Sequence, residues 1–271
     1  MTSSGSDSIA FDERQAESYD RTRSLSPETM AQLVDSLCAE LREKGRCLEV
    51  GIGTGRISVP LAQAGIDVVG VDLSEPMLRK LLDNRGDADE PSIGLADAVT
   101  LPFRDGIFGA AIACHVFHLI PRWRSAILEL ARVVKPGGVI LVELAGGLRE
   151  VQSPFWREIR ERLTSELGPS WCEHQRVGLR DIGELNEFMR SLGARARELP
   201  TLVDRRQRSV DEWIEEAQLW LRGRTSSPDE EHTASALRAI REWALTRFGS
   251  LEGMLSIDRL VTWHAYDLGL N

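Results

Sequence analysis

The stretch Leu48-Glu49-Val50-Gly51-Ile52-Gly53-Thr54-Gly55-Arg56 restricts the fold more than any other part of the 271-residue chain. An apolar run followed by three glycines at alternate positions, then by a helical pattern, describes a buried strand whose backbone turns sharply against a ligand. Seventeen positions after Gly55, a second apolar run, Val68-Val69-Gly70-Val71, closes on Asp72. A carboxylate at the carboxyl end of the neighbouring strand is placed to accept two hydrogen bonds from a ribose diol. Together these features imply an adenosine-like ligand.

The glycine spacing narrows it. Dinucleotide sites use G-x-G-x-x-G, in which a helix N-terminus meets a pyrophosphate. Here the third glycine comes one residue early and Arg56 stands where that pattern requires glycine. Glu49 would repel a pyrophosphate but attract the ammonium of an amino acid. An adenosine joined to an amino acid satisfies both observations. The amides of Gly53, Thr54 and Gly55, read as the start of a helix, are then available to its carboxylate.

Four signals in order resemble the class I S-adenosylmethionine-dependent methyltransferases, of the broad kind that includes quinone-biosynthesis and small-molecule enzymes. They are the glycine turn, Asp72, Gly94-Leu95-Ala96-Asp97-Ala98 before Leu101-Pro102-Phe103, and Val134-Lys135-Pro136-Gly137-Gly138-Val139. The resemblance covers roughly residues 10 to 145 and implies S-adenosyl-L-methionine as cofactor, with S-adenosyl-L-homocysteine as product. It also implies roles. Asp72 binds ribose, Leu73 and Met77 pack on adenine, Asp97 accepts from the exocyclic amine and the Ala98 amide donates to a ring nitrogen. Phe11 to Asp20 looks like the family's amino-terminal segment, which folds over the cofactor and brings Tyr19 to the site. The bland alternatives are that Asp72 and Asp97 cap turns, and that Met77 and Tyr19 are ordinary packed side chains.

Strand-like runs alternate with helical ones throughout the first half. A helix opens at Ser26-Pro27-Glu28. Strands are expected at Cys47–Val50, Val68–Val71, Ile93–Ala96, Phe108–Cys114 and Val139–Glu143, with a helix from Trp123 to Val134. That alternation predicts an α/β fold with a doubly wound, mostly parallel sheet, which the resemblance makes a seven-stranded Rossmann-like methyltransferase sheet. The second half reads as amphipathic helices at Pro154–Leu167 and Ile182–Leu192, a strand near Glu198–Val203, helices around Val210–Ala217 and Leu237–Ala244, and a strand over Leu260–Tyr266. In domain terms, residues 1 to 8 are a disordered start and residues 9 to 271 one methyltransferase domain. Its cofactor core is 9 to 145, and a helical cap at about 209 to 248 is inserted near the C-terminal strands.

Cys114-His115-Val116-Phe117-His118 follows the fourth strand, where Cys114 can border the cofactor and His115 or His118 can act as a base. Each histidine has a structural alternative as a loop hydrogen-bonder. No metal is expected, because the pair lacks a third ligand nearby. The four cysteines, Cys38, Cys47, Cys114 and Cys172, form no C-x-x-C pair. Seven tryptophans are present, and Trp156, Trp171, Trp213 and Trp220 either line an acceptor pocket or form the core of the cap.

The net charge of −9 disfavours a phosphate-binding surface, and the basic cluster Arg205, Arg206 and Arg208 is flanked by Asp204 and Asp211, as on a solvated strand end. No secretory leader pattern and no run of eighteen apolar residues occurs. The expectation is a cytoplasmic monomer or homodimer that binds neither nucleic acid nor a membrane and methylates a small molecule. Two other functions stay open: an RNA or other nucleic-acid methyltransferase, and a NAD-dependent oxidoreductase. A chain that only binds the cofactor is a third.

Overall fold

The computed structural model describes residues 8–85, 91–144, 153–168, 177–222 and 230–269. Seven strands make the main sheet: β1 (Cys47–Val50), β2 (Val68–Asp72), β3 (Ser92–Leu95), β4 (Phe108–Cys114), β5 (Val134–Glu143), β6 (Arg195–Glu198) and β9 (His264–Asp267). Their spatial order is β3-β2-β1-β4-β5-β9-β6. The first five pair in parallel, and β9 runs antiparallel between β5 and β6. The order reverses between β1 and β4, so their carboxyl ends diverge and open a crevice there.

Alternation along each strand explains why both faces are covered. Ala111 and Ala113 of β4 join one buried cluster, which includes Leu48, Val50, Ile140 and Val142. Ala110, Ile112 and Cys114 join the other, with Cys47, Val68, Val139 and Leu141. The first face is closed by α5 (Trp123–Val133), through Trp123, Ile127 and Leu130, and by Leu185 and Met189 of α7 (Ile182–Ser191). The second is closed by Leu33, Leu37 and Leu41 of α2 (Pro27–Leu41) and by Leu61 of α3 (Ser58–Gln63). Truncating one such core leucine to alanine typically costs about 2–5 kcal/mol. At the β3 side, α4 (Glu75–Arg85) packs Leu78 and Leu81 on Ile52.

The N-terminal segment is held locally and at a distance. Asp12 and Gln15 form a reciprocal capping box that starts α1 (Glu13–Arg23). The Ile9 amide donates to the Leu119 carbonyl at 3.1 Å, and the Ser74 hydroxyl donates to the Phe11 carbonyl at 2.6 Å. Asp20 accepts from Thr54 and from Asn84. This segment therefore lies across the carboxyl ends of β1, β2 and β4. Of the stretch expected to be disordered, residues 1–7 lie outside the described residues.

The second half departs from expectation in its strands. A single strand over Glu198–Val203 does not form; β6 ends at Glu198, and β7 (Leu202–Ser209) belongs to another sheet. Pro200, which cannot donate to a ladder, lies at the switch. The expected strand Leu260–Tyr266 is likewise two, β8 (Met254–Val261) and β9, parted at Thr262 and Trp263. β7 and β8 pair antiparallel into a separate ribbon. Between them stand α8 (Val210–Arg222) and α9 (Glu230–Phe248), and α6 (Pro154–Leu167) joins the same cluster.

Trp156 and Trp213 are core residues of this layer, with ring centroids 6.1 Å apart, and the Trp213 indole donates to the Leu255 carbonyl at 3.0 Å. The pocket-lining reading of these two is not what the fold uses. Trp171, Cys172 and His174 lie outside the described residues. The ribbon docks on the helices below it: Asp204 accepts from the Ser26 amide at 2.9 Å, and α8 packs against α1. Arg205 pairs with Asp258, Arg206 with Asp204 and Glu216, and Arg208 with Glu216, so the basic cluster is consumed within the ribbon and α8. No described helix is long and apolar enough to cross a membrane.

Candidate active site

Four strand ends converge on one cleft. It is lined by Gly51 and Gly53 after β1, Asp72, Leu73 and Met77 at and after β2, Ala96, Asp97 and Ala98 after β3, and His115 and Val116 after β4. Phe11 and Tyr19 close it from the N-terminal segment, their rings 5.9 Å apart. The unfilled space is about 620 Å³, part of it open to solvent.

The glycine loop is shaped by close approach. Gly51 has φ +67°, a region that side-chain-bearing residues avoid, and a Cβ there would lie 2.4 Å from Val116 Cγ2. Asp72 ties this loop to the next. One of its oxygens accepts the Gly53 amide at 2.8 Å and the other the Ser74 amide at 2.8 Å. Each keeps a further lone pair, so the carboxylate can still accept from a diol. Burial pushes its pKa upward, against the pull of those amides. Asp97 Oδ1 accepts the Val99 amide at 3.0 Å, which fixes the turn that presents Asp97 and Ala98.

The loop's amides are less available than the sequence implied. Helix α3 begins only at Ser58, the Gly53 amide is taken by Asp72, and the Gly55 amide donates to Ile52 at 3.1 Å. Thr54 and Gly55 do not line the cleft; Thr54 is buried with its hydroxyl on Asp20. Glu49 does not line it either. Its carboxyl is 1% exposed, accepts the Ser58 hydroxyl, and is pushed up to about 8 by burial.

Beside the cleft lies a buried polar chain. The Arg56 guanidinium donates to Cys114 Sγ at 3.1 Å, and Sγ donates to Glu143 Oε2 at 3.2 Å. The same carboxylate meets His115 Nε2. The strand register produces this, since β4 and β5 pair Cys114 opposite Glu143. His115 follows with φ +53°, and its amide donates to the Glu143 carbonyl at 3.0 Å. Such a conformation is strained for a non-glycine residue and is kept only where the surroundings enforce it.

Burial works against Glu143 ionising, but His115, Arg56 and Cys114 outweigh it and hold the carboxyl down at about 2. Burial pushes the His115 imidazole below its ordinary range, and Glu143 opposes that only in part. The resulting state is a neutral imidazole whose Nε2–H donates to a carboxylate. The acceptor that Nε2 faces assigns this tautomer. His115 Nδ1 is buried and has no hydrogen-bond partner among the described residues. Burial also pushes the Cys114 thiol well up. The fold brings Cys114 and Glu143 beside His115, three possible ligand atoms within 4.8 Å of one another that the sequence did not place together, and Arg56 hydrogen-bonds the Cys114 Sγ among them.

The structure thus brings Gly51, Gly53, Asp72, Leu73, Met77, Asp97, Ala98, Tyr19 and His115 to one cleft. Glu49, Thr54, Gly55, Cys114 and His118 do not line it. His118 lies in the 3-10 turn Phe117–Leu119, and its carbonyl accepts the Gly178 amide at 3.0 Å. Sequence reasoning missed Ile9, Phe11, Val116 and Ile120 in the lining, and Glu143 behind His115.

Residues 48–142 match the family model described as a methyltransferase domain. Over this segment, which holds the glycine loop, Asp72 and Asp97, the chain is similar to that methyltransferase domain. Among curated relatives, malonyl-[acyl-carrier protein] O-methyltransferase of Geobacter sulfurreducens is 33% identical over 135 residues, covering 49% of this chain and 51% of the relative. Demethylmenaquinone methyltransferase of Renibacterium salmoninarum is 39% identical over 97 residues, covering 36% of this chain and 40% of the relative. The chain thus spans about half or less of the length of these two relatives. Among solved structures, Haemonchus contortus phospholethanolamine N-methyltransferase 2, in complex with phosphomonomethylethanolamine and S-adenosylhomocysteine, superposes with a TM-score of 0.53. It is 16% identical and covers 95% of this chain and 57% of its own, a likeness of fold.

Proposed function

We propose that the cleft binds S-adenosylmethionine and that the methyltransferase passes its methyl group to a small-molecule acceptor beside His115. The observation that carries this reading is the convergence of Asp72, Asp97 and the Gly51–Gly53 backbone on one cleft with His115. The lining fits an adenosine-bearing ligand. Asp72 keeps lone pairs for a ribose diol, and Leu73 and Met77 offer apolar surface for a purine. Among the described lining residues there is no lysine or arginine for a pyrophosphate.

When bound, the cofactor supplies an electrophilic methyl on a sulfonium, displaced in line by a nucleophile. The protein's part is to bind, orient and deprotonate. Tyr19 and Phe11 cover one side of the site and narrow its access to water. Glu143 fixes the imidazole ring through Nε2, which leaves the Nδ1 lone pair to take the acceptor's proton. Tyr19 is ill suited to that task, since burial pushes its phenol up to about 12.

The assignment is tested with methyl-labelled S-adenosylmethionine and a cell extract separated into small-molecule, protein and RNA fractions. Label is expected in a small-molecule product, in a reaction that requires the enzyme. Label recovered only in RNA or protein would contradict the small-molecule acceptor.

A further inference from the structure

The face of α1 that carries Tyr19 continues past the cofactor cleft. Arg23 stands one turn beyond Tyr19, and residues four apart share a helix face. Its guanidinium lies 5.9 Å from the ring centroid of Trp220 on α8, so it bridges α1 and the inserted helices. Arg56 enters the same region from the glycine loop and reaches Cys114 Sγ. Neither arginine lines the cofactor cleft.

The two cations differ: the groups around Arg56 favour its charge despite burial, whereas the charge on Arg23 is disfavoured. Among the described residues neither Arg23 nor Arg56 forms an ion pair. Glu143, which both feel, is already engaged by His115 and Cys114. The next carboxylates outward are committed to the ribbon. Asp204 accepts from Arg206 at 3.1 Å and faces Arg259 at 3.9 Å, while Glu216 pairs with Arg206 and Arg208. Glu49, pushed up to about 8 by burial, brings little negative charge at neutral pH. Burial disfavours the charge on Arg23 and Arg56 adds repulsion, while Glu216 and Glu143 oppose both; Tyr19, its phenol pushed up to about 12, carries no charge at neutral pH. A half-buried guanidinium with no carboxylate partner among the described residues can take an anion, and its planar fork matches a carboxylate or phosphate in two-point contact.

We propose that Arg23 and Arg56 hold an anionic group of the methyl acceptor, a carboxylate or a phosphate, between α1, α8 and the His115–Glu143 pair. This rests on the methyltransferase reading of the adjoining cleft. It places the anchor of the acceptor on one side and its reactive atom at His115, next to the cofactor. The competing occupant is the cofactor's own carboxylate, and the position of Arg23 on the Trp220 side favours the acceptor.

The test uses the full chain saturated with S-adenosylhomocysteine, titrated calorimetrically with inorganic phosphate, with benzoate and with neutral benzamide. At least one anion is expected to bind and benzamide to fail. Arg23→Gln and Arg56→Gln should each weaken the anion by about tenfold or more, with S-adenosylhomocysteine affinity kept within about threefold. Arg23→Lys, which keeps the charge and loses the fork, should weaken it less. The proposal is overturned if the wild-type complex binds neither anion, if benzamide binds equally well, or if the Gln variants bind the anion unchanged. A parallel loss of S-adenosylhomocysteine affinity would also overturn it and assign the arginines to the cofactor. Should a Gln variant not fold, the wild-type comparison of anion with amide and the Lys variant still decide. Failure of the wild type to bind S-adenosylhomocysteine at all would instead remove the cofactor reading beneath it.

Discussion

Replacing His115 with alanine will lower turnover by about 10² to 10⁴ on an acceptor that must lose a proton, with S-adenosylhomocysteine affinity kept within about threefold. The loss follows from the geometry: Nε2 is held by Glu143 and Nδ1 has no protein partner. Burial sets the imidazole below its ordinary 6.5, so the base is already unprotonated at neutral pH. The rate should therefore hold on acidification past pH 6.5 and fall only as pH drops through the depressed value. Glu143→Gln removes the anion that favours the imidazolium, so the acid limb should move to still lower pH. Steady-state rates across a pH series check both. Full turnover in His115→Ala, or an acid limb that moves upward in Glu143→Gln, would remove the base assignment.

The same pair contributes to stability with a defined sign. Glu143 is held at about 2, below its ordinary 4.5, so its contribution is complete above pH 4.5 and is lost as pH falls from there towards 2.

Asp72→Ala is expected to weaken S-adenosylhomocysteine by about 10- to 150-fold, the equivalent of one charge-assisted hydrogen bond at about 1.5–3 kcal/mol. Two causes combine. The variant loses the acceptor for the ribose diol, and it frees the Gly53 and Ser74 amides that now fix the loop on either side. Asp72→Asn separates them, since its amide keeps one acceptor oxygen for the loop while losing the charge. It should lie between wild type and alanine. Unchanged calorimetric affinity in Asp72→Ala would mean that the ribose is held elsewhere.

The parts of this site that were legible in the sequence are those in which one residue type suffices locally. Gly51 and Gly53 at positive φ, Asp72 at a strand end, and the alternation of β1 to β5 with helices needed no tertiary information. Glu143 was read only as the end of a strand, because its role depends on the register that sets it opposite Cys114. His115 and His118 look equivalent in the chain. A positive φ at one and a 3-10 turn at the other separate them, and neither leaves a sequence mark. The ribbon was partly readable: Pro200 interrupts the run that became β6 and β7. Thr262 and Trp263 give no such signal, since both favour strands and only packing parts β8 from β9. Arg23 and Arg56 come within electrostatic reach of one another through the fold alone, α2 and β1 separating them in the chain.

The most direct test of the central claim is a calorimetric titration of the purified chain with S-adenosylmethionine, S-adenosylhomocysteine and NAD. The cleft geometry predicts one-site binding of the first two and none of NAD, because the described lining residues offer a ribose acceptor at Asp72 and no lysine or arginine for a pyrophosphate. Binding of NAD with no response to either sulfur ligand would contradict it.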